Sequence, residues 1–572
     1  MKEKISKLIE KSIKNLQKKD KLPFFKIPQI KIELKKEKEY GDFSTPLPLV
    51  LGKVLKKDPL KIANLIAKTI SQKLPSYLEK IEVKEPGFIN FFLSQKFLFE
   101  NLKKIIKEKE RYGKSKIGKG KTVIVDYSSP NIAKKFGIGH LRSTIIGQAI
   151  YNLYKFLGFK VIGDNHIGDW GTQFGEIIFQ IKRKNLDPKK LTVEEMEKLY
   201  VEFHKEAEKN PEIIENGKQW FKKLEKGDKE ARRIWKICVK KSLKEFEKIY
   251  KMLGIKIDFT LGESFYEPML KGIIEELKRK KIAKESQGAQ IVEFENLPPA
   301  ILVKSDGTTT YFTRDLATIK YRLKRWKPNL IIYEVGSEQK LHFQQLFRTV
   351  KLLNWTKKTK FVHVAHGLYR LKGGKFSTRK GKTVHLEEVL KEAIERAKRI
   401  VEKSKTSPNL TKKEKEKIAK IVGIGAIKYN DLKQHPSKDI IFDWEKILNL
   451  KGNSAPYLQY TYVRAKSVFR KAKKFKFCFQ NPELKETELE ILRDFVKFPD
   501  ILKEAAFRFS PNLLCDFLFE LAKKFNFFYD TLPVLKAKSE KIRNFRLTLT
   551  LAVSFLIKNS LNILGISVPE RM

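Results

Sequence analysis

The segment Thr122–Phe159 constrains the fold of this chain more than any other. Thr122–Tyr127 (TVIVDY) is a short β-branched run ending at Ser128-Ser129-Pro130, which suits a buried parallel strand better than a helix. From Leu141 the apolar residues Leu141, Ile145, Ile146, Ala149, Ile150 and Leu153 recur mostly at spacings of three and four, so one helix face can pack on a sheet. Lys160–Asn165 resumes as a second strand. A strand, a glycine-bearing loop, a helix and a strand make a βαβ unit, whose crossover is right-handed and whose helix N-terminus faces the ligand crevice. Gly137, Gly139 and His140 fall at that N-terminus, where unpaired N–H groups and the helix dipole attract phosphate and absent side chains let it approach. The predicted site is one for a nucleotide, although Gly137-Ile138-Gly139-His140 alone would equally suit a turn.

The rest of the chain supplies context. Its 572 residues give room for roughly three or four domains. Hydrophobic residues at 41% and aromatics at 11% exclude a disordered, solvating chain. A net charge of +53 points to a polyanionic partner, a nucleic acid, although lysine spread over every surface accounts for about half of the excess. Cys238, Cys478 and Cys515 form no close pair, so neither a zinc site nor a disulfide framework is expected. The amphipathic, glutamate-bearing N-terminus is unlike a signal peptide, and no window reaches the ~20 apolar residues of a membrane span. A cytoplasmic, non-membrane protein is expected.

Along the chain, residues 1–112 read as an α+β domain, with Lys26–Leu34 as a strand, Gly41–Pro46 as a helix-start turn and Lys80–Phe92 as a strand pair. Gly113–Gly120 reads as a linker. Residues 113–400 read as a doubly wound, Rossmann-type α/β domain with a helical insertion over 190–285 and its site at the strand C-termini. Within it, Ala300–Val303 and Thr308–Phe312 are expected to pair as a hairpin around Asp306-Gly307, with Thr313 capping the next helix. Leu330–Val335 and Phe361–Ala365 are further strands. Residues 401–440 read as connecting helices and 441–572 as an all-α bundle.

Ser129-Pro130-Asn131-Ile132-Ala133-Lys134 through Gly139-His140-Leu141-Arg142-Ser143-Thr144 resembles the first signature of class I aminoacyl-tRNA synthetases in its arginyl form. Asn165–Gln173, Tyr311–Ala317 (YFTRDLA), Lys375–Arg379 (KFSTR), Ala455–Tyr460 with Arg464, and the terminal Pro-Glu-Arg-Met also resemble arginyl-tRNA synthetase segments. Gly137 stands where the family has its first signature histidine, Phe376 replaces Met, and Thr378 sits where the general class I motif has a second lysine. Two competing readings are an adenylylating nucleotidyltransferase of the same superfold and a non-catalytic tRNA-binding paralogue. The first lacks the helical bundle and the Tyr-x-Thr-Arg-Asp segment. Retention of His140, Lys134, Lys375 and Asp315 disfavours the second.

The resemblance implies ATP-dependent attachment of L-arginine to tRNA(Arg) through an arginyl-adenylate, with tRNA needed for activation. It implies His140, Lys134 and Lys375 as catalytic residues, Lys134 compensating for the absent second lysine. Pro130, Gly137, Gly139, His140, Gly367, Lys375, Ser377 and Lys382 would hold ATP with Mg²⁺. Asp126, Asn131, Tyr311, Asp315 and Gln339 would hold arginine, and Tyr457, Tyr460 and Arg464 would contact tRNA. No resident metal is expected, and the chain is expected to act as a monomer. A backbone N–H, Lys134 or a repositioned His166 would replace the imidazole missing at Gly137.

Overall fold

A computed structural model of the protein describes residues 1–34, 37–371, 374–375, 385–404, 407–472, 474–481 and 483–572. The chain forms two compact units. One comprises residues 115–457, 506–512 and 561–572; the other comprises residues 1–114, 458–505 and 513–560.

The first unit is built on a five-stranded, all-parallel sheet in the order 360–366, 330–336, 122–126, 160–165, 259–260. Val123, Ile124, Val125, Ile331 and Ile332 have no exposed surface, because a parallel sheet is covered on both faces. The helix Gly139–Phe156 links strand 122–126 to its neighbour 160–165, while strand 330–336 lies on the other side. Strand order therefore reverses at 122–126, and a crevice opens at the C-terminal ends there.

Four helices, Thr172–Arg183, Val193–Ala207, Glu212–Glu225 and Lys229–Leu253, follow strand 160–165. The chain rejoins the parallel sheet at Phe259–Thr260, inside the span 190–285 expected as a helical insertion, and the helices already begin at Thr172. A separate antiparallel sheet, 283–286, 289–294 and 297–303, comes next. This corrects the expected hairpin. The turn at 304–307 does form, with Lys304 N–H donating to Thr308 O at 2.9 Å, but Thr308–Phe312 makes only a single bridge, Val303 to Thr309. Strand 297–303 pairs instead with 289–294, and the following helix starts at Tyr311 with Thr310, not Thr313, at its N-cap.

In the second unit a four-stranded sheet, ordered 33–34, 43–45, 88–93, 78–84, packs against the helix Pro59–Ser71, which in turn packs against the helix Lys2–Lys18. The strand expected over Lys26–Leu34 is limited to Glu33–Leu34, and Phe43–Thr45, expected as a turn, is a fully buried strand. The same unit contains the long C-terminal helices. Tyr112 OH donates to Phe495 O at 2.8 Å, and Asp42 accepts from Leu93 N at 2.8 Å and pairs with Arg493 at 3.2 Å. Residues 1–112 thus share a compact unit with helices more than 340 residues further along the sequence.

Candidate active site

The loop after strand 122–126 is bent into an uncommon shape. Ser128, Ser129 and Ala133 have φ of 76°, 46° and 59°, conformations that cost non-glycine residues free energy and persist only when neighbours enforce them. Three backbone N–H groups of this loop donate to side chains that enforce its shape. Ser128 N–H donates to Ser143 Oγ (2.9 Å), Ser129 N–H to Asn165 Oδ1 (2.9 Å) and Ala133 N–H to Ser242 Oγ (2.9 Å). Pro130 and Asn131 are fixed by the return segment, since Gly168 N–H donates to Pro130 O and Ile132 N–H to Gly168 O, both at 3.1 Å. A Cβ on Gly168 would fall 2.1 Å from Asn131 Oδ1, so glycine is required for that close approach.

At the helix N-terminus Gly139 is exposed, and a Cβ there would meet nothing within 4 Å. Gly137 is buried and bridges His385, while its carbonyl accepts from His140 N–H at 3.1 Å. Burial pushes the His140 imidazole down to about 4, the Gly137 backbone bond opposes this, and the positive charges of Lys134 and His366 lower it further. Its Nδ1 is buried without a hydrogen-bond partner. Lys134 lies 4.2 Å above the Tyr200 ring, and burial lowers its pKa although Glu197 and Glu176 counteract this. His366 ends strand 360–366 and is held by fully buried Glu334 at 3.0 Å.

A second cluster assembles from three segments. Asp315, on the first turns of helix Tyr311–Trp326, receives His342 Nε2 at 2.6 Å on Oδ2 and faces His166 Nε2 at 3.6 Å from Oδ1. Burial works to raise its carboxyl, but the His342 hydrogen bond and nearby positive charge outweigh it and leave the pKa lowered. Exposed Tyr311 packs its ring 4.9 Å from that of His342. Gln339 is exposed in the short turn Ser337–Gln339, immediately before the helix carrying His342. His166 faces Asp315, which revises the idea that it replaces the imidazole absent at Gly137; His366 is the histidine whose charge His140 feels.

Asp126 differs from its expected role. Its Oδ2 pairs with Arg322 Nη2 at 2.6 Å, its Oδ1 accepts from Ser129 Oγ at 3.1 Å, and Asp164 holds the same guanidinium at 2.8 Å. Arg322 and Asp164 have no exposed surface. The carboxylate expected to receive a substrate guanidinium is already neutralising one supplied by the protein.

The segment leading to the second basic loop is also anchored. A Cβ on Gly367 would meet Asp439 Oδ1 at 2.6 Å, and Gly367 N–H donates to Pro436 O at 3.0 Å. Tyr369 and Arg370 pair with Ile440 and Ile441, and the backbone of Lys375 pairs with Arg370. Ser377 and Lys382 lie outside the described residues.

Models of three families match the chain. One described as "tRNA synthetases class I (R), catalytic domain" covers residues 101–444, "DALR anticodon binding domain" covers 458–572, and "Arginyl tRNA synthetase N terminal domain" covers 3–93. An arginine–tRNA ligase of Halothermothrix orenii is 43% identical over 551 residues, 95% of each chain. The chain belongs to the arginyl-tRNA synthetase family. The arginine–tRNA ligase of Fusobacterium nucleatum is 39% identical over 99% of each chain. The Thermus thermophilus arginyl-tRNA synthetase structure superposes with a TM-score of 0.84 at 26% identity, covering 100% of both chains.

Within an arginyl-tRNA synthetase frame, the structure brings Tyr311 and Asp315 together with His342, which sequence reasoning did not place, and with His166, which it expected beside Gly137. His342 gave one signal, its place three residues after Gln339 on a helix start, whereas the Asp315–His166 approach had none. In the C-terminal helices the Arg464 guanidinium lies between two rings, 5.2 Å from Tyr460 and 4.9 Å from Tyr529, and donates to Asn526 Oδ1 at 3.1 Å. Tyr460 and Tyr529 are exposed, and Tyr457 lies in the first turn of the helix Ala455–Ala472 that carries Tyr460.

Proposed function

We propose that the crevice at the C-terminal ends of strands 122–126 and 330–336 activates arginine with ATP and passes it to the terminal ribose of tRNA(Arg). As a family member the chain is an enzyme that attaches arginine to tRNA by aminoacylation and uses ATP. In the first step the arginine carboxylate attacks the α-phosphorus and pyrophosphate leaves with the bonding electrons. In the second a ribose hydroxyl attacks the activated carbonyl and AMP leaves. The protein's contribution is positioning and charge neutralisation.

On this reading the Gly137–His140 turn receives the ATP phosphates, alongside Pro130, Gly367, Ser377 and Lys382. His140 presents a neutral imidazole at physiological pH, consistent with its depressed pKa of about 4. Lys134 and Lys375 stabilise negative charge on the leaving pyrophosphate. Mg²⁺ would come with ATP and neutralise its phosphates. Asp315 accepts the substrate guanidinium, Tyr311 walls the pocket, and Asn131 and Gln339 orient the amino end. Asp126 holds Arg322 and thereby shapes the pocket floor. Tyr457, Tyr460 and Arg464 stack and pair with tRNA bases. On the same reading the chain acts in the cytoplasm as a monomer.

The observation carrying this reading is Asp315, its pKa lowered although it is partly buried, between exposed Tyr311 and two histidines. Aminoacylation assays with labelled arginine and tRNA(Arg) test it. Asp315→Asn should lower kcat/KM for arginine by at least about 100-fold, because a buried guanidinium would lose a charged partner worth roughly 3 kcal/mol. Absence of charging by the unaltered protein would overturn the enzyme, and undiminished arginine use by the variant would overturn the pocket.

A further inference from the structure

At the opposite ends of the same strands lies a second concavity. It has a volume of about 520 Å³ and is lined by Lys324, Lys327, Lys357, Lys358, Trp355 and Pro328, among others. It opens where strands 330–336 and 360–366 begin, whereas the crevice opens where they end. Seven residues of strand, about 23 Å at ~3.3 Å per residue, separate the two.

Its wall is rigidly built. Trp355 Nε1 donates to Glu276 Oε1 at 3.3 Å, and Glu276 also holds Lys320 at 2.7 Å and Lys280 at 3.2 Å. Lys320 lies 5.9 Å from the Trp355 ring centroid. The backbone beneath is fixed by Thr359 Oγ1 donating to Pro328 O at 2.6 Å and Lys360 N–H to Asn329 O at 3.0 Å. Lys324, Lys327, Lys357 and Lys358 are exposed, and none forms an ion pair among the described residues. Two helices, Tyr311–Trp326 and Lys340–Leu352, end here, and their C-terminal carbonyls favour cations nearby. That explains Lys324 and Lys327 but not Lys357 and Lys358, which sit in the loop between helix and strand.

An indole wall with four uncompensated ammonium groups on one rim offers what a nucleotide needs, a face for the base and cations for its phosphates. We propose that this concavity is a second nucleotide-binding site, separate from the catalytic crevice. It takes a single-stranded stretch of RNA, or a free nucleotide of the same chemistry, with a base against Trp355 and phosphates on Lys324, Lys327, Lys357 and Lys358.

The test compares the full-length chain with two equally discharged variants. One is Lys324→Gln/Lys327→Gln/Lys357→Gln/Lys358→Gln. The control removes four exposed lysines of another helix, Lys412→Gln/Lys413→Gln/Lys417→Gln/Lys420→Gln. Binding of a short fluorescein-labelled RNA oligonucleotide and of a fluorescent GTP analogue is followed by anisotropy over a salt series. The pocket variant should lose at least tenfold in affinity for one or both ligands, and for RNA its salt slope should fall by about 2 to 3, at ~0.7 per phosphate contact on a single strand. Loss for RNA alone assigns the site to an RNA strand; loss for the GTP analogue alone assigns it to a free nucleotide. Trp355→Leu, which keeps the charge but removes the aromatic face, should weaken binding about five-fold or more through lost stacking, and unchanged binding would overturn the base-stacking part of the proposal. Equal losses in pocket and control variants, or no loss in either, would overturn the site. Arginine charging reports on the crevice separately, so failure here leaves that reading standing.

Discussion

Single residues decide which acid in this crevice can meet a cation. Asp126 and Asp315 both sit at strand or helix ends, but Arg322 occupies the first, whereas His342 and His166 face the second. Their partners differ, so on the proposed function the first supports the pocket and the second meets the substrate. Gly168 shows the same fine control over backbone. With 2.1 Å between its hypothetical Cβ and Asn131 Oδ1, Gly168→Ala must displace Asn131 or the return segment. Arginine KM should rise about ten-fold or more while the thermal midpoint falls only a few degrees, the cost of a local overpacking being about 1–3 kcal/mol. Steady-state kinetics alongside thermal melts check this; an unchanged KM would show that Asn131 is not held in place by the glycine.

At the scale of elements, the signature helix Gly139–Phe156 is fixed by more than its apolar face. Arg142, 1% exposed, donates through Nε to Asp431 at 3.2 Å, through Nη1 to Lys438 O at 2.6 Å and through Nη2 to Pro436 O at 3.1 Å. Tyr369 OH donates to the other oxygen of Asp431 at 2.7 Å. One side chain therefore ties the helix of the first signature to the strand that leads into the second. Arg142→Leu leaves Asp431 buried without its cation, and burial already raises that carboxyl. The variant should lose about 3–5 kcal/mol of stability, the usual cost of breaking a buried pair. Urea unfolding at neutral pH measures it, and a loss below 1 kcal/mol would show the pair to be dispensable. The helix and its periodicity were readable from the sequence, as was the strand before it. The antiparallel partner of strand 297–303 was not, because two β-prone neighbours compete for one edge and Thr310 starts a helix before the nearer one can pair.

On the scale of the whole molecule, segments far apart in sequence are stitched by buried polar groups. Lys428 donates to Leu253 O at 2.7 Å and to Gly565 O, joining the helix Lys412–Leu432 to the end of helix Lys229–Leu253 and to the last residues of the chain. Burial lowers its pKa to about 7, against about 10.4 for an exposed lysine. Between those values the unfolded chain holds a proton that the folded chain does not, so stability rises with pH from about 7 to about 10 and is lost as pH falls through that window. Lys428→Met abolishes this dependence. The stability of the native chain relative to the variant should therefore improve between pH 7 and pH 9.5 in paired denaturant titrations. Parallel curves would mean that Lys428 keeps its proton when folded.

The sequence by itself determined the chemistry that could occur and the elements that carry it. Strand and helix periods around the glycine loop follow from local sterics and apolar spacing, and motif residues within a few positions of one another keep their relation in any fold. Thus Gly137 to His140 met at one helix N-terminus, and Tyr311 and Asp315 lay on one helix face. Only tertiary structure decided the long-range pairings. Arg322 reaches Asp126 across 196 residues, His166 turns to Asp315 rather than to the Gly137–His140 turn, and residues 1–114 share a compact unit with the C-terminal helices. A buried charge is stable only with its partner, and nothing local to Asp126 tells which distant cation will be folded against it.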